Sequence, residues 1–558
     1  MSATQSNLSA SQYGYDIVVA TTQDSINETM KEYLSTGDQP EIRMYWNYDP
    51  KIKKNVIVDE ATLLSQLGGT SPFDLDAWDG TGDMPDELSV IDSSNFQFAF
   101  RAQIGLPNGY TPDSIPDLIQ LDPKSNQVTF NLLCSEFQVV QADVYRSLDA
   151  YYNVSQEDGN AWIITTKVPL KTITDNTDLP AAVQAQLNNL GATAFSVQQL
   201  LLDLDNAFLE STPTISGIDP ASDVYPALQS YFLNAYFNAL KDNKLPALGY
   251  TLINNDGNPD PSTLKISDLK MEANPFFDAN GTEDDKSGLI TLNYLCAANG
   301  GKVVNNNTFT WNWLDTAADN GDFDGVTAIN RNTLGKYFND KLHTYVLSNC
   351  WLPSVKVTTD GLYVTYEYGM TAGQQPTMTV PPTGSTVLSY SYDSGTVSDQ
   401  AGLNGDMGKM RLQSTFNMTV DFVGTTIVVK QHLLVYVYIE NSSTGKGGNI
   451  IDRTITDTYS IGVGASGQLQ AVLGTPVDTD NSQRPGVNGF LNFFTDINGL
   501  AAQTQEWYQG MAALSFEDVP VSVMQGFVFP GGKTFIFKDA MFSDNQDLIS
   551  HITYIDPS

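Results

Sequence analysis

Cysteine and histidine are scarce in this chain of 558 residues, which contains three of each. The cysteines are far apart and odd in number, so they define neither a disulfide framework nor a zinc site. We therefore expect three buried free thiols. The histidines have no His or Cys neighbour at ligand spacing, which makes a metal site or catalytic triad a weak hypothesis. These six residues are Cys134, Cys296, Cys350, His343, His432 and His551.

Basic residues are also few. The chain has 28 Lys plus Arg against 64 Asp plus Glu, which gives a formal net charge of −36. Neutralising phosphates requires clustered Lys and Arg, so nucleic acid is not an expected partner. The same balance disfavours a general attraction to anionic membranes. Solubility without salt, or a basic protein partner, fits this charge better.

Long apolar runs are absent as well. The longest, His432 to Ile439, is far shorter than the roughly 20 residues of a membrane-spanning helix. The N-terminal sequence MSATQSNLSASQYG is polar and lacks the basic and apolar regions of a signal peptide. We therefore expect a soluble protein with no transmembrane segment, either cytoplasmic or released by a non-classical route. Residues 1–12 are predicted to form a disordered tail.

No catalytic motif is visible. The chain has no Gly-rich phosphate loop and no G-x-S-x-G elbow, and carboxylate pairs are expected by chance among 64 acidic residues. Asn320, Asp322, Asp324 and Gly325 resemble the start of an EF-hand loop, but the twelfth position is Arg331 instead of Glu. A solvated turn is the favoured interpretation. We expect no enzyme activity, no metal and no cofactor.

What the sequence does contain is enough apolar residues, 41%, for two to four domains. A short apolar strand, a capped helix and long alternating strands occur twice, which is a weak internal repeat of architecture. The first copy begins at YGYDIVVAT, with Ser25 and Glu28 as a capping box, and the second begins at Gly325 to Ile329, with Asn332 as a cap. We therefore predict an N-terminal half at 13–324 and a C-terminal half at 325–558.

Alternating strands dominate both predicted halves. Phe96, Phe98 and Phe100 are predicted to share one face of a strand. The clearest alternation lies at 411–422, with IVVKQHLLVYVYIE as its antiparallel partner. Near the C-terminus, FVFPGGKTFIFK is predicted to form a hairpin around its Pro-Gly-Gly turn.

A helix at Ser222 to Leu240 is the predicted organising element of the chain. Ser222 or Asp223 can cap its start, and Pro226 falls in its first turn, where a missing N–H is harmless. Further helical stripes are predicted within 179–208, at 334–346 and at 488–513. The organising helix presents one apolar face, formed by Val224, Leu228, Tyr231, Phe232, Ala235, Ala239 and Leu240.

Four stretches, in this order, resemble one known family. They are YGYDIVVAT with its helix, DVYPALQSYF, LNYLCAANGG followed by FTWNWLD, and FVFPGGKTFIFK. The chain is similar in them to the OrfX-type proteins encoded beside clostridial neurotoxin genes, of the tubular lipid-binding (TULIP) superfamily. The resemblance implies an α+β fold of TULIP-like domains, in which long amphipathic helices are wrapped by highly curved antiparallel β-sheets. It also implies lipid binding and a role in a bacterial toxin complex or virulence.

The candidate site residues follow from the helices and from this resemblance. An apolar tunnel needs apolar lining and few polar anchors, because each buried methylene of an acyl chain contributes about 0.8 kcal/mol. The alternative is that the same side chains form a closed core. The candidate lining residues are Leu228, Tyr231, Phe232, Ala235, Tyr236, Leu240, Leu334, Tyr337 and Phe338.

A basic loop is the second candidate site. Lys51, Lys53 and Lys54, with Arg43 nearby, form the one positive cluster of the N-terminal part, and the resemblance allows contact with a lipid headgroup. The alternative is a solvated hairpin loop, since the overall charge opposes anionic surfaces.

Three functions remain open at this point. The first is a non-enzymatic protein that binds a lipid or another hydrophobic small molecule, with other toxin-complex proteins as further partners. The second is a structural or adaptor protein of such a complex with a closed core and no lipid. The third is a direct insecticidal or pore-forming toxin, although alternating strands suit any sheet with one wet face.

Overall fold

The structure is a computed structural model, and it describes residues 2–36, 41–123, 127–174, 195–202, 214–232, 235–236, 247–254, 264–284, 287–315, 319, 322–361, 363–403, 407–441, 444–465, 467, 469–483, 527–528 and 533–555. Its helices are α1 (Gln23–Thr36), α2 (Glu60–Gln66), α3 (Ser89–Asp92), α4 (Tyr225–Ala227, continued by a π-helical turn at Leu228–Phe232) and α5 (Arg331–Asn349).

Strands make up most of the described chain. The strands before residue 325 are β1 (Ile17–Thr22), β2 (Ile42–Asp49), β3 (Lys54–Val58), β4 (Phe96–Ile104), β5 (Ile119–Leu121), β6 (Gln127–Leu132), β7 (Cys134–Val144), β8 (Leu148–Ser155), β9 (Ile163–Thr174), β10 (Phe195–Leu202), β11 (Thr214–Ser216), β12 (Ala247–Asn254), β13 (Ile266–Asn274), β14 (Phe276–Phe277), β15 (Glu283–Asp284) and β16 (Thr291–Ala298). The later strands are β17 (Gly325–Ile329), β18 (Leu352–Asp360), β19 (Tyr363–Thr371), β20 (Thr377–Thr379), β21 (Thr386–Asp393), β22 (Val397–Ala401), β23 (Gly408–Val423), β24 (Thr426–Asn441), β25 (Thr444–Val463), β26 (Leu469–Leu473), β27 (Val477–Asp480), β28 (Phe527–Val528), β29 (Thr534–Phe537), β30 (Met541–Phe542) and β31 (Leu548–Ile555).

The described strands form antiparallel sheets. A central sheet has the order β13-β16-β1-β17-β31-β29, with β30 beside β31. A five-stranded sheet has the order β3-β2-β4-β7-β8, and an eight-stranded sheet has the order β20-β21-β23-β24-β25-β26, with β22 and β27 alongside. A further sheet has the order β28-β12-β10-β9-β6-β5, with β11 on β9. The strand-rich, antiparallel part of the predicted fold class is confirmed.

The longest strands follow the alternation of the sequence. In β23 the even-numbered side chains from Met410 to Phe422 are buried, and the odd-numbered ones are more exposed. β24 is its antiparallel partner, with Phe416 opposite Leu433, as predicted. Alternation places every second side chain on one face, so the apolar set of β23 can pack inward while the polar set meets water.

The two predicted strand–helix units lie side by side in the central sheet. β1 precedes α1 and pairs with β17, which precedes α5, so that Val19 lies opposite Thr327. Every residue of both strands is buried, which explains why neither sequence alternates between apolar and charged residues. Strands from either side of residue 325 therefore share one sheet. The predicted division of the chain into halves stays a prediction.

The N-terminal segment differs from the prediction of a disordered tail. Residues 3–5 form a 3-10 turn, and Ser6 and Leu8 are fully buried. The Ser6 hydroxyl and the Leu8 N–H both donate to Oδ2 of Asp547, at 2.8 and 2.7 Å. The predicted tail is therefore wrong for residues 2–12, because a carboxylate more than 500 positions away in the sequence binds it.

The predicted common face of the three phenylalanines in β4 is also wrong. Trp46 and Asn47 are successive residues of β2, but they lie opposite Phe98 and Phe96, so β4 contains one extra residue there. Such a β-bulge shifts the alternation of side chains by one position. Phe98 and Phe100 consequently belong to the main apolar cluster, whereas Phe96 packs into a separate cluster on the opposite face of the sheet.

That opposite face is covered by the acidic segment that follows β3. Its apolar side chains interrupt a run of aspartates and are buried against the five-stranded sheet, together with Tyr45 and Phe96. Both faces of this sheet are therefore buried. The covering residues are Leu63, Leu67, Phe73, Leu75, Leu88 and Ile91.

Several predicted helix starts need correction. The cap of α1 is Thr22, whose Oγ1 accepts the N–H of Ser25 at 3.2 Å, so the predicted Ser25 cap lies inside the helix. Helix α4 begins at Tyr225 without a side-chain cap, and Asn330 instead of Asn332 caps α5. Competing tertiary contacts select among neighbouring cap residues, so sequence places a cap only to within a few positions.

Two longer predictions also differ from the structure. Residues predicted as helical within 179–208 include β10, where Leu200 lies opposite Gly249 in a strand pair. In the predicted C-terminal hairpin, the described residues of the two arms pair with other strands: β28 pairs with β12, and β29 pairs with β31. Its Pro-Gly-Gly turn and the helix predicted at 488–513 lie outside the described residues.

Candidate hydrophobic site

Helix α4 lies against one face of the five-stranded sheet, and aromatic rings form the contact. The Phe232 ring is 4.6 Å from that of Phe100 on β4 and 4.5 Å from that of Phe137 on β7, centroid to centroid. Tyr236, four residues further along the chain, stacks on Phe232 at 4.8 Å. Trp162 extends the group through a contact of 4.8 Å with Phe137. These five rings define the aromatic cluster.

The helix contributes this contact because of its spacing. Leu228, Phe232 and Tyr236 are four residues apart, so they lie on one helical face. All three are fully buried, and Ala235 beside them is 8% exposed. The predicted lining residues Leu228, Phe232, Ala235 and Tyr236 are therefore together in one place. The side chain of Tyr231 and the whole of Leu240 lie outside the described residues.

One polar contact is enclosed by the aromatic cluster. Cys134 Sγ lies 3.6 Å from the hydroxyl oxygen of Tyr236, and both groups are buried. Burial raises the pKa of the Cys134 thiol to about 12, so the thiol is neutral and unreactive at physiological pH. Cys296 and Cys350 are buried free thiols too. The prediction of three buried free cysteines is confirmed.

Helix α5 makes an equivalent contact with the eight-stranded sheet. Phe338 lies 5.8 Å from Phe422 on β23, and Phe422 stacks on Phe542 at 4.1 Å with nearly parallel rings. The predicted lining residues Leu334, Tyr337 and Phe338 are at most 3% exposed. They belong to the same continuous apolar cluster as the residues of α4. The two groups of predicted lining residues are thus two helix–sheet contacts within one core.

Sequence reasoning missed the sheet side of both contacts. Four residues that touch a candidate ring or its neighbour were not among the predicted lining residues. They are Phe137, Trp162, Cys134 and Phe542. Their signal was alternation on predicted strands. Alternation shows which side chains point inward, but it does not show which helix they meet, because strand order is not written in it.

The predicted headgroup residues separate into two groups. Arg43 is paired with Glu41 at 2.7 Å and with Glu60 at 3.2 Å, so its charge is compensated within the protein. Lys51 and Lys53 lie in the turn between β2 and β3, and Lys54 begins β3; all three are exposed. The structure therefore keeps the lysines together and removes Arg43 from the cluster.

Two open clefts lie elsewhere, and both polar and apolar side chains line them. One, of about 480 Å³, is lined by residues of the other side of α5, by the segment before β20 and by β20 itself, including Asp340, His343 and Met378. The second, of about 240 Å³, lies where α1 meets β31, and it includes Glu28, Asp324 and Tyr554. Neither contains a predicted lining residue.

Neither a metal centre nor a membrane-spanning helix is visible among the described residues. His432 is paired with Asp452 at 2.8 Å and His551 with Asp539 at 2.7 Å, each as a simple pair. Among the described residues, no group of three or more His, Cys, Asp and Glu side chains is placed to hold a metal ion. In that same part of the chain, no helix combines the length and apolar character needed to cross a bilayer.

One buried carboxyl group gives a prediction about pH. Glu272 on β13 is 5% exposed, and burial raises its pKa from 4.5 to about 7. A raised pKa in the folded state means that protonation favours folding. The resulting stabilisation is complete below about pH 4.5 and is lost as the pH rises through about 7. We therefore expect the melting temperature to fall between pH 6 and pH 8.

Replacing Glu272 by Gln tests this assignment. The variant should show a smaller difference in melting temperature between these two pH values, measured by circular dichroism. Glu87→Gln changes an exposed carboxylate and is the control. Equal pH profiles for wild type and Glu272→Gln would exclude Glu272 as the titrating group.

The fold and the site together define a class: a strand-rich antiparallel protein in which two helices each bury one face, through aromatic contacts, in one apolar core. No family model and no curated protein matches the sequence.

Solved structures do resemble this chain over most of its length. P47 of Clostridium botulinum E1 has 9% identity and a TM-score of 0.42, with 97% of this chain and 98% of that chain covered. P47 from Clostridium botulinum A2 has 11% identity and a TM-score of 0.42, with 97% of each chain covered. A lipopolysaccharide binding protein has 8% identity and a TM-score of 0.28, with 97% and 99% covered.

Proposed function

We propose that this protein is a non-enzymatic lipid-binding protein, which holds an acyl chain between its buried helices and the sheets around them. The arrangement would be that of TULIP-like domains. The observation that carries the proposal is the continuous apolar core in which α4 and α5 both present aromatic side chains to a sheet. An acyl chain needs only apolar lining of this kind, since each methylene contributes about 0.8 kcal/mol on burial.

The aromatic cluster is the proposed binding position within this core. Phe232 is held by Phe100 and Phe137 through ring contacts and has no polar group of its own. Core side chains are close-packed in rotamer wells, so an acyl chain can enter here only if these rings change rotamer or shift with the helix that bears them. The π-helical turn at Leu228–Phe232 is a second reason to place the site here, because such turns are frequent at functional positions.

Association with a bacterial toxin complex is the further part of the proposal. It rests on the four stretches that resemble the OrfX-type proteins and on no contact in this structure. The lipid would then be a cargo or a structural component of that complex.

The second candidate function is a structural or adaptor protein with a closed core. The specific observation in its favour is that Leu228, Phe232 and Tyr236 have no exposed surface at all. In this conformation their side chains fill the space that an acyl chain would occupy. An adaptor would keep this conformation and bind protein partners through its surface.

Lipid analysis of the purified protein distinguishes the two functions. Native mass spectrometry and organic extraction should find acyl lipid in stoichiometric amount, and a fluorescent fatty acid should bind to delipidated protein. Absence of lipid in the extracts, together with no binding of the fatty acid, would favour the adaptor.

A matched pair of variants then locates the site. Ala235→Leu adds volume beside the aromatic cluster, whereas Ala142→Leu adds the same volume on the other face of the five-stranded sheet. Each is expected to cost about 1–3 kcal/mol in stability from overpacking. Only Ala235→Leu should lower the fatty acid affinity, by roughly tenfold. Circular dichroism of both variants shows whether a lost affinity is due to misfolding. Equal losses in the two variants would exclude this position.

A further inference from the structure

Two hairpin turns meet at one end of the five-stranded sheet. The β2–β3 turn spans residues 50–53, and the β7–β8 turn spans residues 145–147. Strand β4 begins between them. Its Phe96 lies opposite Asn47 near the end of β2, and its Phe98 lies opposite Gln141 near the end of β7. Both turns therefore project from the same edge of the molecule.

Each turn exposes apolar side chains. Ile52, at the tip of the first turn, is 56% exposed, and Tyr145, in the second, is 80% exposed. Val144 beside it is 40% exposed. Single exposed apolar residues are common on protein surfaces, but here they occupy the tips of two neighbouring turns. At such tips they can leave water without any change in the sheet behind them.

Three lysines flank the first of these apolar tips, and one arginine lies at the second. Lys51 and Lys53 flank Ile52 directly in sequence, and Lys54 follows. Within the described part of the chain, none of these three lysines forms an ion pair, in contrast to Arg43, which is paired twice. In the second turn the Arg146 guanidinium lies over the Tyr145 ring at 5.5 Å.

Carboxylates at this end are partly engaged in holding the turns. Asp49 Oδ1 accepts the backbone N–H of Lys51 at 2.8 Å, and Asp92 Oδ1 accepts that of Leu148 at 2.6 Å. Asp143 and Asp149 are exposed beside the second turn. The positive charge is thus concentrated at the β2–β3 turn, and the second turn contributes mainly apolar surface.

We propose that this end of the five-stranded sheet docks on a bilayer surface that carries anionic headgroups. Ile52 and Tyr145 enter the interface between headgroups and acyl chains, and the three lysines bind the phosphates. Tyrosine favours that interface because its ring is apolar and its hydroxyl is polar. The proposal does not depend on an acyl chain being bound in the core.

The net charge of −36 does not prevent such docking. The screening length is about 8 Å at physiological ionic strength, so carboxylates on distant surfaces contribute little at this end. The same net charge repels the rest of the molecule from an anionic bilayer. It therefore favours one orientation, in which only the turns reach the membrane.

Co-sedimentation with vesicles tests this proposal. The full chain should bind vesicles of phosphatidylcholine with phosphatidylglycerol, and it should bind less as salt is raised. The triple change Lys51→Gln, Lys53→Gln and Lys54→Gln should weaken binding by roughly tenfold or more. The double change Ile52→Ser and Tyr145→Ser should also weaken it by roughly tenfold, through lost burial of apolar area.

Matched controls remove the same groups elsewhere. Lys302, Lys356 and Lys446 are exposed lysines outside this edge, and Val477 is an exposed aliphatic residue on β27. Changing these lysines together to Gln, or Val477 to Ser, should leave binding within about twofold of wild type. Failure of the wild type to bind, unchanged binding of the turn variants, or an equal loss in the controls would each overturn the proposal. Melting temperatures of all the variants should match the wild type.

Discussion

Replacing Asp547 by Ala is expected to lower the free energy of unfolding by about 3–5 kcal/mol, the cost of removing one partner from a buried charged network. Asp547 is fully buried just before β31. Its carboxylate accepts the hydroxyl of Ser6, the N–H of Leu8 and, at 3.0 Å, the N–H of Arg331. Alanine leaves all three donors buried without an acceptor.

The consequence is also structural, because Asp547 connects distant parts of the chain. Its three partners belong to the N-terminal segment and to the first turn of α5. We expect residues 2–12 of the Asp547→Ala variant to become accessible to protease. Chemical denaturation and limited proteolysis measure the two effects.

The control for this prediction is three positions away. Asp544 is exposed in the same loop, and changing it to Ala should alter stability by less than about 0.5 kcal/mol. A similar loss of stability in both variants would mean that the loop as a whole, and not the buried carboxylate, holds the N-terminal segment.

Replacing Phe232 by Ala is the second prediction with a large effect, with an expected loss of about 3–5 kcal/mol. The ring is fully buried and contacts Phe100, Phe137 and Tyr236. Its removal takes away apolar burial and leaves a cavity between α4 and the five-stranded sheet. Urea denaturation monitored by tryptophan fluorescence measures this loss of stability, since Trp162 lies in the same cluster.

Tyr363→Ala is the matched control, since this ring is 71% exposed and its loss should change stability little. A loss below about 1 kcal/mol for Phe232→Ala would contradict close packing at this position and would indicate space already present beside α4. That result would also strengthen the lipid-binding proposal over the adaptor. A loss of about 3–5 kcal/mol is compatible with both functions, and the lipid analysis then decides between them.

The strand-rich character of the protein could be predicted from residue patterns. The alternation of β23, the apolar strand β17 and the presence of α5 follow from local periodicity, and β24 pairs with β23 as its next neighbour in the sequence. These are short-range regularities, because a pleated strand or a helix repeats its geometry every few residues. The buried free cysteines followed from composition and spacing in the same way.

The candidate site could be predicted only in part. Leu228, Phe232 and Tyr236 follow from helical spacing, but their contacts with Phe100 and Phe137 depend on which sheet the helix meets. A helix predicted within 179–208 proved to contain strand β10, since an apolar run of that length suits either structure. Long-range pairing decided between them.

By itself the sequence determined the kinds of element, the apolar faces they present and a strongly negative chain with few cysteines and histidines. Only the tertiary structure decided that Asp547 holds the N-terminal segment, that a bulge turns Phe96 away from Phe98, and that β28 pairs with β12 and β29 with β31. The physical reason is the range of the interactions. Periodicity acts over a few residues, whereas hydrogen-bond partners and strand neighbours are chosen among groups tens to hundreds of positions apart.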